Sequence, residues 1–201
     1  MNYKLTSFRP TPEQWIQMGV NLGLAPGHLN QAALRSLSLE KISEQLPGNS
    51  VFTLTIDYSK TKADMIAAGN YSHANNFLIE NEPVEGKIKG AGVVKVTLEL
   101  VCFDEQMIST KEAVRRITKE RYLLLAGVEH LLALGAAYPD IQRGFPIVAL
   151  GSVWRGPGGD RSVAYLDYWR DGRDLDMDWC DGDWRGAYRF LAMRKQSALI
   201  L

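Results

Sequence analysis

Residues 162–195 read SVAYLDYWRDGRDLDMDWCDGDWRGAYRFLAMRK. Three of the five tryptophans of the chain fall in this stretch (Trp169, Trp179 and Trp184), together with seven aspartates. Asp171-Gly172 and Asp181-Gly182 are turn dipeptides, so the stretch divides into short strands, the last of them YRFLAMRK. Asp174, Asp176 and Asp178 then lie two residues apart. In a strand that spacing puts all three carboxylates on one face, about 6–7 Å from one to the next. Three like charges in a row need a cation, arginine partners or open water. Leu175, Met177 and Trp179 take the other face and are expected to join a core.

Upstream, residues 145–154 (FPIVALGSVW) read as a strand, and RGPGGDR at 155–161 as a glycine-rich turn. Residues 93–103 (VVKVTLELVCF) are the clearest strand, with Val94, Val96, Leu98 and Leu100 at period two. Between them, STKEAVRRITKE opens with a capping pattern, Ser109 or Thr110 followed by Glu112. GVEHLLALGAAYPD is a second helix with Leu131, Leu132 and Leu134 turned to a core, and His130 reads as a packed residue on it. Ahead of this block, VFTLTIDY (51–58) is a strand. A short helix follows it, capped by Ser59 or Thr61 and closed by Gly69. Residues 75–92 suggest an irregular loop or hairpin. Helices are expected at about 11–22, from Thr11 and Pro12, and at 30–45. The order is strand, two helices, then several short strands, which predicts an α+β fold. The expected division is a helical N-terminal segment at 1–50, a strand-helix extension at 51–92 packed on the main domain, and a ligand-binding domain at 93–201.

The 201 residues carry 23 basic and 23 acidic side chains, a balance that argues against nucleic acid as a partner. No apolar run approaches the roughly 20 residues that span a bilayer, and the N-terminus has no signal core. The expectation is a chain without membrane insertion, cytoplasmic as synthesised. Cys102 and Cys180 are too few for a disulfide framework and are read as free thiols.

Catalytic and metal chemistry find little footing. The D-x-D-x-D run opens like a calcium loop, but Trp179 stands where glycine is needed and Arg185 where the bidentate glutamate should be. GPGGDR lacks the features of a phosphate loop. None of His28, His73 and His130 is placed beside a cysteine or a nucleophile elbow. No cofactor and no metal is therefore expected. Recognition fits better. Tyr165, Tyr168, Trp169, Trp184 and Tyr188 offer rigid amphipathic area, and Arg170, Arg173 and Arg185 offer forked donors, the residue types that dominate binding hot spots.

From about residue 121 onward the chain resembles the C-type lectin-like fold, in the branch related to formylglycine-generating enzymes. RYLLLAGVEHLLALGAAYP is similar to the acidic helix segment of that branch, with Glu129 at the acidic position. VALGSVW is similar to its glycine-serine-tryptophan strand, and YRFLAMR to its closing strand. The paired cysteines of those enzymes are not matched, since Cys180 stands alone in this region, and the sugar-binding triplets of calcium lectins are missing. ALGSVWRGPGGDR followed by YRFLAMRK more closely resembles the framework around the hypervariable region in variable proteins of diversity-generating retroelements. DYSKTKADMIAAGNY and VTLELVCF resemble further pieces of them.

That resemblance implies a lectin-like domain with two helices and a small antiparallel sheet, preceded by an α/β extension. It implies a non-enzymatic display protein whose face at about 162–187 recognises a protein or other macromolecular ligand, with homo-oligomers allowed. Leu166, Leu175, Met177, Trp179, Phe190 and Ala192 would hold the sheet. Ala164, Tyr165, Asp167, Tyr168, Trp169, Asp174, Asp176, Asp178, Cys180, Asp181, Asp183, Arg185 and Ala187 would meet the ligand or lie in loops beside it. The alternatives are an active or degenerate formylglycine-generating-type enzyme and an oligomeric structural or virion component.

Overall fold

Strand β3 (Val93–Val101) alternates as its sequence requires, and β1 (Asn49–Asp57) runs antiparallel along its whole length, from Asn49 opposite Val101 to Asp57 opposite Val93. The computed structural model that shows this describes residues 49–86, 90–103, 106–169 and 172–195. The helices expected at 11–22 and 30–45 lie outside the described residues, as do Arg170, Asp171 and the tail after Lys195.

Six further strands complete one sheet: β2 (His73–Ala74), β5 (Leu124–Leu125), β6 (Ile147–Arg155), β7 (Arg161–Trp169), β8 (Gly172–Trp179) and β10 (Arg189–Met193). Their order is β1-β3-β10-β6-β7-β8-β2, with β5 pairing on β10. A separate two-stranded sheet joins β4 (Met107–Ser109) to β9 (Asp183–Arg185). The helices are α1 (Lys62–Gly69), α2 (Asn76–Glu80), α3 (Thr110–Arg115) and α4 (Val128–Ala137); a π-helical turn, Arg116–Glu120, continues α3. Strands and helices are mixed, so the fold is α+β. Among the described residues the sheet is a mixed one of eight strands, not the small antiparallel sheet expected, and of the four helices two, α3 and α4, lie after residue 93. The closing strand β10 inserts between β3 and β6 and lies parallel to β6, and β2 lies parallel to β8. Alternation shows that a segment is a strand but does not say beside which strand it lies.

Both faces of the sheet carry a core. On one, Phe52, Leu54, Ile56, Val96, Leu98, Leu100, Ile147, Leu166 and Leu175 pack with Leu131, Leu132 and Leu134 of α4. On the other, Val101, Val148, Val163, Phe190 and Ala192 pack with Ile108, Ala113, Ile117 and Trp184. Trp154 is fully buried on the α4 side and donates its indole N–H to the Asn81 carbonyl at 2.9 Å.

The helix ends follow their local chemistry. Thr61, rather than Ser59, caps α1: its hydroxyl accepts from the Asp64 N–H, and the Asp64 carboxylate accepts from the Thr61 N–H, both at 3.1 Å. The left-handed residue that ends α1 is Asn70 (φ 48°), one past the expected Gly69. Ser109, rather than Thr110, caps α3. Residues 75–92 contain α2 where an irregular loop or hairpin was expected, because the Asn75 side chain caps the N–H groups of Phe77 and Leu78.

Arg173 of β8 clamps the sheet to the helix layer. Its guanidinium donates to the carbonyl of Gly69 at the end of α1 and, at 2.6 Å, to that of Gly135 near the end of α4, and it lies over the Tyr71 ring at 4.9 Å. A cation at two helix C-termini is doubly favourable. Arg173→Ala is expected to lower stability by about 2–4 kcal/mol, read as a drop in the urea midpoint without a change in m. Tyr122 makes the opposite case. It sits just after the π-helical turn with φ 56°, and its side chain is exposed. Left-handed backbone is costly for any residue with a Cβ, so Tyr122→Gly is expected to raise stability by roughly 0.5–1 kcal/mol in the same assay.

Candidate functional site

The β7–β8 hairpin pairs Tyr165 with Asp176, Asp167 with Asp174, Val163 with Asp178 and Trp169 with Gly172 on one face. The opposite face carries Ala164 with Met177, Leu166 with Leu175, and Tyr168 with Arg173. Leu166 and Leu175 are fully buried, which fixes the register, because a slip of one residue would turn the aspartates into the core. The acidic row therefore looks outward from the sheet side that β4, β9 and α3 cover nearer its middle.

A ladder of rings links this face to the second core. Tyr165 and Tyr188 have centroids 6.3 Å apart, Tyr188 and Trp184 5.1 Å, Trp184 and Phe190 6.1 Å, and Phe190 and Phe103 5.4 Å. Burial and the nearby Asp176 raise the Tyr165 hydroxyl pKa, and burial with Asp178 pushes Tyr188 up to about 12. Both phenols stay neutral, and the Tyr188 hydroxyl donates to Asp178 at 3.3 Å.

The carboxylates find neutral partners. Asp176 accepts from the Asn75 side-chain amide at 2.7 Å and from the Met177 N–H at 2.8 Å. Asp178 accepts from the Trp179 N–H at 2.7 Å and the Tyr188 hydroxyl at 3.3 Å. Asp167 accepts from the Tyr168 N–H at 2.8 Å. Asp174 faces Asp167 across the strands and His73 on the β2 side. Burial raises its pKa, His73 opposes that, and Asp167 and Asp176 add to it. Beneath this pair, the buried Gln142 amide donates to the backbone carbonyls of Asp167 and, at 3.0 Å, Asp174.

Of the side chains assigned to the ligand face, Tyr165, Asp167, Trp169, Asp174, Asp176 and Asp178 share this surface. Trp169, 61% exposed, ends it. Asp181, Asp183, Arg185 and Ala187 are exposed in the segment that follows β8, and Asp181 pairs with Arg161 at 3.0 Å. Tyr168 belongs to the opposite face, where the Arg143 guanidinium lies 4.1 Å from its ring. Ala164 and Cys180 are buried. The small side chain of Ala164 is the one that faces the α4 core, and Cys180 lies in the second core.

One tryptophan leaves the place expected of it, and one whose place the sequence left open lies in the core. Trp179, assigned to the core by alternation, is 69% exposed: it is the last residue of β8, and neither core includes it. Trp184 is buried beneath Tyr188 and donates its indole N–H to the Thr110 hydroxyl at 2.7 Å. Arg173 is the structural clamp described above. His73, Asn75 and Gln142 were missed. They come from elements distant in sequence, and only the pairing of β2 with β8 and the turn at Ile141–Arg143 bring them to the hairpin.

Among the described residues, no group of three His, Cys, Asp or Glu side chains is gathered to hold a metal ion, and no helix is long and apolar enough to cross a membrane. Burial raises the Cys180 thiol pKa, with Arg161 working against it and Asp181 and Glu85 adding to it. That environment disfavours a thiolate nucleophile. Comparison with protein-family models, with curated proteins and with solved structures finds no match for this chain.

The facing carboxylates carry a pH prediction. The raised Asp174 pKa means that the folded state binds the proton more tightly than the unfolded chain does. Asp174 therefore costs nothing below its unfolded pKa, near 3.8, and its destabilisation develops as pH rises through the folded value. Asp174→Asn is expected to stabilise by about 0.2–1 kcal/mol at pH 7. The gain should vanish below about pH 4, as measured by thermal melts across pH.

Proposed function

We propose that this chain is a non-enzymatic binding protein that presents the outward face of the β7–β8 hairpin to a macromolecular ligand, as a variable protein of lectin-like type does. The observation that carries the reading is the separation of roles along the hairpin. Tyr165, Asp167, Trp169, Asp174, Asp176 and Asp178 stand on one face, while Leu166 and Leu175 on the other are sealed into the α4 core. Side chains at Tyr165, Asp167, Trp169 and Asp174 can change without altering Leu166 and Leu175, which is the property a display surface requires. The framework on either side is built for constancy: Trp154 before the hairpin and Phe190 and Ala192 after it are buried. Trp169 supplies a large exposed aromatic of the kind that anchors interfaces.

Resequencing the gene across the source population tests the reading without knowledge of the ligand. Substitutions should concentrate at the outward positions between 162 and 187 and spare Leu166, Leu175, Trp184 and the flanking VALGSVW and RFLAM. Uniform constancy across 162–187, or changes that fall equally on buried and outward positions, would overturn it. In the protein itself, Trp169→Ala should leave the melting temperature nearly unchanged. Trp184→Ala should cost about 3–5 kcal/mol.

A further inference from the structure

Among the described residues, strand β8 is the last long strand of the sheet, and its outer side is only half paired. The backbone groups that point away from β7 belong to Arg173, Leu175, Met177 and Trp179. The carbonyl of Arg173 accepts from the Ser72 N–H at 2.7 Å, and that of Leu175 accepts from the Asn75 N–H at 2.9 Å. β2 ends at Ala74, opposite Leu175. Beyond it, among the described residues, no strand pairs with the edge at Met177 and Trp179. An edge of this kind is a template on which another strand can add.

The two outward amides are nevertheless occupied. The Met177 N–H donates to Asp176 Oδ1 at 2.8 Å, and the Trp179 N–H to Asp178 Oδ1 at 2.7 Å. In each case the aspartate immediately precedes the amide it caps. Both carboxylates are held in place by a second donor: the Asn75 side-chain amide on Asp176 Oδ1, and the Tyr188 hydroxyl on Asp178 Oδ2. Aspartate side chains compete with ladder hydrogen bonds in this way when they reach a neighbouring N–H. An incoming strand would have to break both caps and bring its own carbonyls up to two carboxylates.

We propose that Asp176 and Asp178 close the free edge of the sheet to strand addition, by a second copy of this chain above all, so that any partner meets the hairpin through its face. The D-x-D spacing matches the edge: every second residue of an edge strand turns its N–H outward, and at Met177 and Trp179 an aspartate one position before accepts from it. This assignment stands whether or not the face binds a macromolecule.

The test is sedimentation velocity over a range of concentration, together with amide hydrogen exchange at Met177 and Trp179. Asp176→Ala with Asp178→Ala should tighten self-association by roughly ten-fold or more relative to the native chain and speed exchange at both amides in the dilute protein. Asp176→Asn with Asp178→Asn, which keeps the acceptor oxygens, should associate as the native chain does. Asp160→Ala with Asp183→Ala removes the same charge away from this edge and should also leave association unchanged. Should the double alanine variant fold poorly, Asp178→Ala alone leaves the Asn75 contact intact and should speed exchange at Trp179 only. The proposal is overturned if the alanine pair associates no more tightly than the native chain. It is equally overturned if the asparagine pair or the Asp160/Asp183 pair associates as strongly as the alanine pair, or if exchange at Met177 and Trp179 does not change.

Discussion

The close approach of β6 to the chain around it at Gly151 and Ser152 holds the helix layer to the sheet. The Gly151 N–H donates to the Ala126 carbonyl at 2.9 Å, and a Cβ on Gly151 would stand 2.5 Å from that same oxygen. Only glycine permits the approach. The next residue, Ser152, is fully buried; its hydroxyl accepts from the Val128 N–H at 3.0 Å and donates to the Gly86 carbonyl at 2.8 Å. Three segments distant in sequence thus meet at one dipeptide: the start of α4, the middle of β6, and the loop that follows α2. The ladder between β6 and β7 shifts register here, between Ala149 and Val153, so that the strand can turn its backbone toward these partners.

With α4 held at that point, both faces of the sheet can be filled. Leu131, Leu132 and Leu134 cover one side, while the β4–β9 pair and α3 cover the other only as far as Trp184 and Tyr188. Among the described residues, nothing in the second core reaches the outer end of the hairpin on that side. Its backbone is secured from behind, by Leu166 and Leu175 in the α4 core, by the Arg173 guanidinium on two helix ends, and by the Gln142 amide on two carbonyls. That support is what allows Asp167 to face Asp174 directly. Like charges opposed across strands are unfavourable by a few tenths of a kcal/mol to about 1 kcal/mol, a small cost beside the burial of two leucines at about 1.5–3 kcal/mol each.

The aspartates thus divide by position. Asp176 and Asp178 are engaged by the strand's own edge and by Asn75 and Tyr188, whereas Asp167 and Asp174 lie where the face is most electrostatically loaded. Trp169 stands at the end of the same face. A surface of this composition is set by side chains alone, since the backbone beneath it is specified by residues pointing the other way.

Among the described residues, period-two alternation, turn dipeptides and capping residues were enough to place the longer strands and the helices α1, α3 and α4, because each depends on residues a few positions apart. The outward set on β7 and β8 was legible for the same reason: Asp167, Asp174, Asp176 and Asp178 could not share a face with Leu166 and Leu175. What alternation could not report was where a strand ends relative to the layer that covers it. Trp179 has core parity yet stands past the cover, and Trp184, beside an Asp-Gly turn, lies beneath Tyr188. Nor does local pattern hold information on which strands are neighbours, because pairing is decided by burial summed over the whole chain. The insertion of β10 between β3 and β6, the approach of His73 and Asn75 to the acidic row, and the use of Arg173 as a clamp are therefore products of tertiary structure. Strand parity settles which side chains turn together; what lies opposite them follows from packing, because burial is summed over segments far apart in the chain.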